Sequence, residues 1–114
     1  MLFLFVDDDD NVAKAFAELA ESLGHRAETA SSGGDALRMA GQTRYDTVFM
    51  DIGLPDIDGR TLCEFLRSAG ASVEACIVAV TGQRDLEDTL LEPVDGFLAK
   101  PATESELKRI IHRC

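Results

Sequence analysis

Tryptophan is absent from this sequence, and the aromatic residues, one Tyr and six Phe, make up 6% of its 114 residues. Basic residues are also scarce, because 11 Lys and Arg stand against 21 Asp and Glu, for a formal net charge of −10. Surfaces that bind nucleic acid or anionic membranes need clustered Lys and Arg. The composition therefore argues against direct nucleic-acid and membrane binding, and it is compatible with cation binding.

The three cysteines, Cys63, Cys76 and Cys114, are odd in number and form no C-x-x-C motif. Cys63 and Cys76 lie in apolar patterns that are typical of small core residues. The sequence therefore predicts a reduced, cytoplasmic protein without a disulfide framework. The apolar run Leu2–Val6 is too short for a signal peptide or a membrane span, and an aspartate follows it directly.

The chain length suits one domain over residues 1–114, without repeats, low-complexity segments or linkers. Four short apolar segments have the continuous hydrophobicity of strands buried on both faces. They are Leu2–Val6, Thr47–Met50, Cys76–Val80 and Phe97–Ala99. A fifth and weaker strand, Arg26–Thr29, is predicted near a sheet edge.

Helical patterns separate these strands, with capping residues at their starts and Gly or Pro at most of their ends. The first predicted helix runs from near Asn11, with Asp9 or Asp10 as its cap, to Gly24, and the second runs from Ser32 to about Ala40, with Gly41 as its stop. The third contains Leu62, Phe65, Leu66 and Ala69 on its apolar face and ends at Gly70, and the fourth lies within 84–92, before Pro93. The last begins at the capping box Thr103–Glu106 and continues to about Arg113. The alternation predicts a doubly wound (βα)5 sandwich, with a five-stranded parallel sheet and helices on both faces. The fourth helix is expected to be short or irregular.

Residues that can carry chemistry follow four of the predicted strands, and in such a sheet they gather at one rim. They are Asp7, Asp8, Asp51, Thr81 and Lys100. Crowded carboxylates repel one another unless a cation neutralises them, and oxygen ligands that retain several waters suit Mg²⁺. A lysine offers a point charge to a phosphoryl group, and a carboxylate can act as a nucleophile. The set therefore indicates Mg²⁺-dependent phosphoryl chemistry.

Four stretches in the same order along the chain resemble the signature of two-component response-regulator receiver domains, the CheY-like family of flavodoxin-like fold. They are Val6–Asp9, Asp51–Gly59, Thr81–Gly82 and Asp95–Pro101. The resemblance runs nearly end to end. It implies a signalling phosphoacceptor domain rather than a classical enzyme. Such a domain receives its phosphoryl group from a sensor histidine kinase or a histidine phosphotransfer protein.

The resemblance also implies roles for individual residues. Asp51 would be the phosphoacceptor, and Mg²⁺ would be bound by Asp8 directly, by Asp7 largely through water, by Asp51 and by the backbone carbonyl of Gly53. Thr81 would donate a hydrogen bond to the aspartyl phosphate and Lys100 would pair with it, with a cis bond between Lys100 and Pro101. Phe97 would be the aromatic switch that responds to Thr81.

The resemblance further implies an output surface, formed by the predicted 84–92 helix, the last strand and the final helix, through which the domain could form a homodimer. The segment between Thr81 and Lys100 is about three residues shorter than is usual in the family. Pro93 stands where the fourth helix would continue, Gly53 offers no side chain beside Asp51, and Phe97 lacks the hydroxyl of the commoner tyrosine.

Two other functions fit parts of the sequence. A haloacid-dehalogenase-like phosphohydrolase would use Asp7 as its nucleophile and Asp9 as its second acid, but this chain is short for that fold with its cap, and that family does not need the Leu54–Gly59 loop. A degenerate receiver would keep the fold for protein contact alone. The complete set of site residues argues against it, whereas the shortened fourth helix is compatible with it. Asp56 and Asp58 are assigned to turn and helix-cap roles, and His25 and His112 to the surface without a role.

Overall fold

A single parallel sheet organises the described residues, 1–81, 94–99 and 103–114, of the computed structural model. Its strands are β1 (Leu2–Val6), β2 (Arg26–Ala30), β3 (Thr47–Asp51), β4 (Cys76–Thr81) and β5 (Gly96–Ala99). The described helices are α1 (Asp10–Ser22), α2 (Gly33–Gln42), α3 (Gly59–Ser68) and α4 (Glu104–Arg113). The short helix predicted within 84–92 lies outside the described residues.

The strand order is β2-β1-β3-β4-β5, and every neighbouring pair is parallel. The chain runs from the interior strand β1 to the edge strand β2, crosses back to β3 and continues through β4 to the other edge at β5, which makes the sheet doubly wound. The predicted fold class is confirmed, and β2 lies at the edge where its weak pattern placed it. Among the described residues, none of the helices is both long and apolar enough to cross a membrane.

Two apolar clusters cover the two faces of the sheet. On one face α1 and α4 bury Phe16, Ala20, Leu107 and Ile110 against the strands. On the other face α2 and α3 bury residues such as Leu62 against the strands. Strands that are covered on both sides need continuous hydrophobicity, which explains why β1, β3 and β4 are apolar almost throughout.

The helix starts follow the predicted capping residues. The side chains of Asp9, Ser32, Asp58 and Thr103 accept hydrogen bonds from the first turns of α1, α2, α3 and α4, respectively. An N-cap oxygen satisfies a backbone N–H that has no partner within the helix. The local sequence therefore defines where each of these helices begins.

Two predictions about the helices are wrong. Gly41 does not stop α2, which continues to Gln42, because the turn after α3 caps that end: Ala71 N donates to Gly41 O at 3.2 Å and Ser72 N to Ala40 O at 3.1 Å. Phe65 does not face the core, since its side chain is 52% exposed. Leu62 and Leu66 cover the sheet instead, and Phe65 lies between them in the helical period.

The prediction of a protein without disulfides is also wrong. Cys76, the first residue of β4, is bonded to Cys114, which follows α4, and their Cα atoms are 5.8 Å apart. That separation is within the usual range for a disulfide. The pair is 38 residues apart in sequence, so no spacing motif marks it. Cys63 is a buried thiol in the α3 side of the core, as predicted.

Candidate functional site

Three carboxylates meet where β1 and β3 end. Asp7 follows β1, Asp8 comes next, and Asp51 is the last residue of β3. One carboxylate oxygen from each lies within 4.8 Å of the other two. Register explains the meeting, because β1 and β3 are neighbours and Val6 is opposite Met50, one residue before Asp7 and Asp51. The rim predicted from strand ends therefore brings Asp7, Asp8 and Asp51 together.

The burial of these carboxylates differs in a way that suits a bound cation. Asp7 is 4% exposed and Asp51 is 7% exposed, whereas Asp8 is exposed. Negative charges at this spacing repel strongly when water is partly excluded. An oxygen-only cluster with two sheltered acids and one exposed acid fits Mg²⁺, which binds through one or two carboxylates and keeps several waters.

Backbone N–H groups orient the two sheltered carboxylates. Asp9 N donates to Asp7 Oδ1 at 2.9 Å, and Gly53 N donates to Asp51 Oδ1 at 3.0 Å. Gly53 lies so close that a Cβ added there would be 3.5 Å from the same Asp51 oxygen. The loop after β3 therefore begins in contact with the carboxylate of Asp51.

The second half of that loop is held by Asp56 and Asp58, the acids assigned to turn and cap roles. Asp56 accepts hydrogen bonds at 3.0 Å from Gly33 N and from Gly34 N, the first two residues of α2. These two bonds hold the pKa of Asp56 below its usual range, and the bond from Gly33 has the larger effect. Asp58 caps α3 by accepting from Thr61 N at 3.0 Å, and this bond likewise lowers the pKa of Asp58.

Apolar contacts complete the attachment of the loop. Leu54 is buried in the α2–α3 side of the core, and Ile57 packs against the same cluster. Gly33 approaches Ile57 so closely that a Cβ at residue 33 would lie 2.0 Å from Ile57 Cγ2. The loop that carries Gly53 is therefore held against two helices, although most of its polar side chains are exposed.

Thr81 ends β4 at the same rim, and its side chain is 2% exposed. Asp51 is opposite Val80 in the β3–β4 register, which puts Thr81 one residue beyond the level of Asp51. In the β4–β5 register Thr81 is opposite Ala99 and Ala79 is opposite Phe97. Because residues two apart in a strand point to the same face, Thr81 and Phe97 share one face of the sheet.

The remaining predicted site residue, Lys100, and its bond to Pro101 lie outside the described residues. Sequence reasoning found the acids of the rim but missed the contact between Asp56 and α2. The only local signal was an acid in a Gly- and Pro-containing loop. Its partner, the start of α2, lies 22 and 23 residues earlier in the chain.

Asp9, the second acid of the hydrolase alternative, does not belong to the carboxylate cluster. Its Oδ1 accepts from Asn11 N at 3.0 Å and from Val12 N at 3.4 Å, so it is the cap of α1. The alternative therefore lacks the paired acids that it needs. The three-acid cluster in the described part of the chain is formed by Asp7, Asp8 and Asp51.

Comparison with known proteins identifies the same architecture. One similar structure is the receiver domain of the sensor histidine kinase PA1611 from Pseudomonas aeruginosa. It is 32% identical in sequence, has a TM-score of 0.87, and the match covers 98% of this chain and 94% of that chain. The crystal structure of that domain has a magnesium ion coordinated in the active-site cleft. A CheY-like receiver domain from Methylobacillus flagellatus is 34% identical with a TM-score of 0.88, over 98% and 96% of the two chains.

Curated relatives include much longer proteins. The sensor histidine kinase RcsC of Salmonella typhi is 30% identical over 112 residues, which cover 97% of this chain and 12% of that protein. The histidine-protein kinase BarA of Escherichia coli K12 is 31% identical over 118 residues, 99% of this chain and 13% of that protein. This chain thus spans about one eighth of the length of these kinases. The family model of the response regulator receiver domain matches residues 3–112, and the chain belongs to that family.

Proposed function

We propose that this domain accepts a phosphoryl group on Asp51 from a phosphohistidine, with Mg²⁺ bound at the neighbouring acids. The observation that carries the proposal is the cluster of Asp7, Asp8 and Asp51, whose carboxylate oxygens lie within 4.8 Å of one another. The receiver unit would extend over residues 1–114. The phosphoryl donor would be a sensor histidine kinase or a histidine phosphotransfer protein, in line with the kinases among its relatives.

The residues that would hold Mg²⁺ are Asp8 directly, Asp7 largely through water, Asp51 through its carboxylate and Gly53 through its backbone carbonyl. When bound, Mg²⁺ would neutralise charge on the phosphoryl oxygens, which allows an anionic carboxylate to approach an anionic phosphoryl group.

Asp51 would supply the nucleophilic oxygen. Its carboxylate attacks phosphorus, the bond from phosphorus to the donor imidazole nitrogen breaks, and the histidine retains the bonding electron pair. Gly53 N–H fixes the orientation of the Asp51 carboxylate before the attack. A carboxylate held in position in this way loses less entropy on reaching the transition state than a mobile one.

Thr81 and Lys100 would stabilise the phosphorylated form. The Thr81 hydroxyl would donate to a phosphoryl oxygen, and Lys100 would add a positive charge. Because Thr81 and Phe97 share a face of the sheet, a shift of Thr81 toward the phosphate would open space on the Phe97 side. The output surface, which includes β5 and α4 as well as the predicted 84–92 helix, would then change shape and favour a partner or a homodimer.

The native protein is expected to gain one phosphoryl group when it is incubated with Mg²⁺ and acetyl phosphate. Intact-mass spectrometry measures the gain, and the same incubation with EDTA in place of Mg²⁺ is the control. The adduct should disappear slowly after the donor is removed, because a cleft that admits a histidine also admits water. The absence of an adduct under all donor concentrations would favour the degenerate receiver, used only for protein contact.

Replacing Asp8 by Asn is expected to weaken Mg²⁺ binding by more than about tenfold, since even the loss of an outer-sphere partner of a metal site costs this much. The same change should raise the thermal stability of the metal-free protein, because one of three crowded negative charges is removed. Amide chemical shifts on Mg²⁺ titration measure the first effect, and they should change around residues 7–9, 51–53 and 81 in the native protein.

Asp10→Asn is the matched control for this experiment. It changes the net charge equally, but Asp10 belongs to the first turn of α1 and lies outside the carboxylate cluster. The Asp10→Asn variant should leave Mg²⁺ affinity unchanged. The native protein should gain thermal stability when Mg²⁺ is added, because the ion binds the folded state. Undiminished Mg²⁺ affinity in Asp8→Asn would show that the site is assigned to the wrong residues.

A further inference from the structure

The disulfide between Cys76 and Cys114 joins the start of β4 to the end of α4. Cys76 is fixed on the sheet, where it is opposite Thr47 in the β3–β4 register and donates from its backbone N to Asp46 O at 2.9 Å. Cys114 follows the last turn of α4. The bond closes a covalent ring from residue 76 to residue 114, and this ring contains β4, β5 and α4.

The environment of Cys114 is accessible and basic. Cys114 is exposed, and it lines a cavity of about 370 Å³ together with His25, Lys108 and His112. A cavity of this size is within the range that small-molecule sites occupy. Lys108 adds a positive charge to this lining, and cysteines that undergo thiol–disulfide exchange are found in accessible, electropositive surroundings. His25 and His112, to which the sequence assigned no role, therefore line the same cavity as Cys114. The ring of His25 also contacts the ring of Phe3, with their centroids 4.8 Å apart.

We propose that Cys76 and Cys114 form a redox-responsive site, which exchanges with a low-molecular-weight disulfide that carries carboxylates, such as oxidised glutathione. One protein thiolate attacks a sulfur of the small disulfide, forms a mixed disulfide and releases one small thiol. The second protein thiolate then attacks the protein sulfur of that mixed disulfide, which closes the Cys76–Cys114 bond and releases a second small thiol. The protein loses two hydrogens and two electrons, and the small disulfide gains them.

The structural consequence of this reaction is a restraint on α4. Without the bond, α4 is held to the sheet by apolar packing of Leu107, Ile110 and Ile111. Ile110 also packs tightly on the start of β5, where a Cβ at Gly96 would lie 2.6 Å from Ile110 Cδ1. Fixing the end of α4 to β4 therefore restrains β5, the strand that carries Phe97. This consequence does not depend on the proposed phosphorylation of Asp51.

The test equilibrates the native protein in a series of glutathione buffers, from fully reduced to fully oxidised, followed by acid quench, alkylation and peptide mapping. We expect a reversible transition within the series, with Cys76 and Cys114 joined on the oxidised side and Cys63 alkylated only after unfolding. A bond that stays closed in the fully reduced buffer would make it a purely structural disulfide. A pair that stays open in the fully oxidised buffer would show that the site does not react. Either result overturns the proposal.

Amide hydrogen exchange provides the second readout. Exchange of residues 104–113 should be slower by at least about tenfold in the oxidised form than in the reduced form. Cys114→Ser is the control, because it should exchange like the reduced native protein in every buffer, and residue 114 is exposed so that the change leaves the core intact. Equal exchange of α4 in the two redox forms of the native protein would overturn the restraint. Asp51→Asn should show the same redox transition, which separates this site from the phosphoacceptor.

Discussion

Replacing Asp51 by Asn is expected to abolish the phosphoryl adduct that acetyl phosphate and Mg²⁺ produce in the native protein. The amide has nearly the shape of the carboxylate and can still accept the hydrogen bond from Gly53 N, but its oxygen is a far weaker nucleophile. The change also removes one charge from a cluster whose oxygens lie within 4.8 Å of one another, so the variant should fold and be more stable than the native protein. Intact mass measures the adduct, and thermal unfolding confirms that the variant is folded.

Asp56→Asn is the matched control for the loss of the adduct. Asp56 lies in the same loop as Gly53 and is exposed, and it bonds to the start of α2 rather than joining the cluster. This variant should retain the adduct.

Asp7→Asn separates the two possible nucleophiles. It should slow phosphorylation through weaker Mg²⁺ binding without preventing it. An adduct that survives in Asp51→Asn and disappears in Asp7→Asn would transfer the nucleophile to Asp7, as in the hydrolase alternative.

Opening the bond between Cys76 and Cys114 is expected to lower the free energy of unfolding by about 4 kcal/mol, the chain-entropy value for a ring of roughly this size. The ring spans a sequence separation of 38 residues, and a cross-link of that length restricts the unfolded chain far more than the folded one. Cys114→Ser is the better variant, because Cys114 is exposed whereas Cys76 packs against the core. Guanidinium unfolding of the oxidised native protein and of the variant, followed by circular dichroism since the chain lacks Trp, measures the difference.

A reducing agent supplies the internal control for this measurement. It should bring the native protein to the unfolding midpoint of Cys114→Ser and leave the variant unchanged. If the oxidised native protein and the variant unfold at the same denaturant concentration, the cross-link contributes nothing to stability.

Local sequence patterns determined the elements of this fold and the acids of its site. β1 was predicted with its observed bounds, Leu2–Val6, because a strand buried on both faces must be apolar at every position. The caps of α2 and α4 were predicted, and those of α1 and α3 were among the two acids named for each, because an N-cap interaction spans only three residues. Asp7, Asp8 and Asp51 were predicted to meet because the carboxyl ends of the strands of a doubly wound parallel sheet lie at a common edge.

The tertiary structure alone decided the features that depend on residues far apart in sequence. α2 passes through Gly41 because the turn after α3 satisfies the carbonyls at its end, and Asp56 finds its partners at the start of α2. Cys76 and Cys114 are joined because the sheet and α4 bring the start of β4 beside the end of the last helix. None of these contacts leaves a periodic or local signal, since each is set by which backbone segments approach one another after the helices have packed on the sheet.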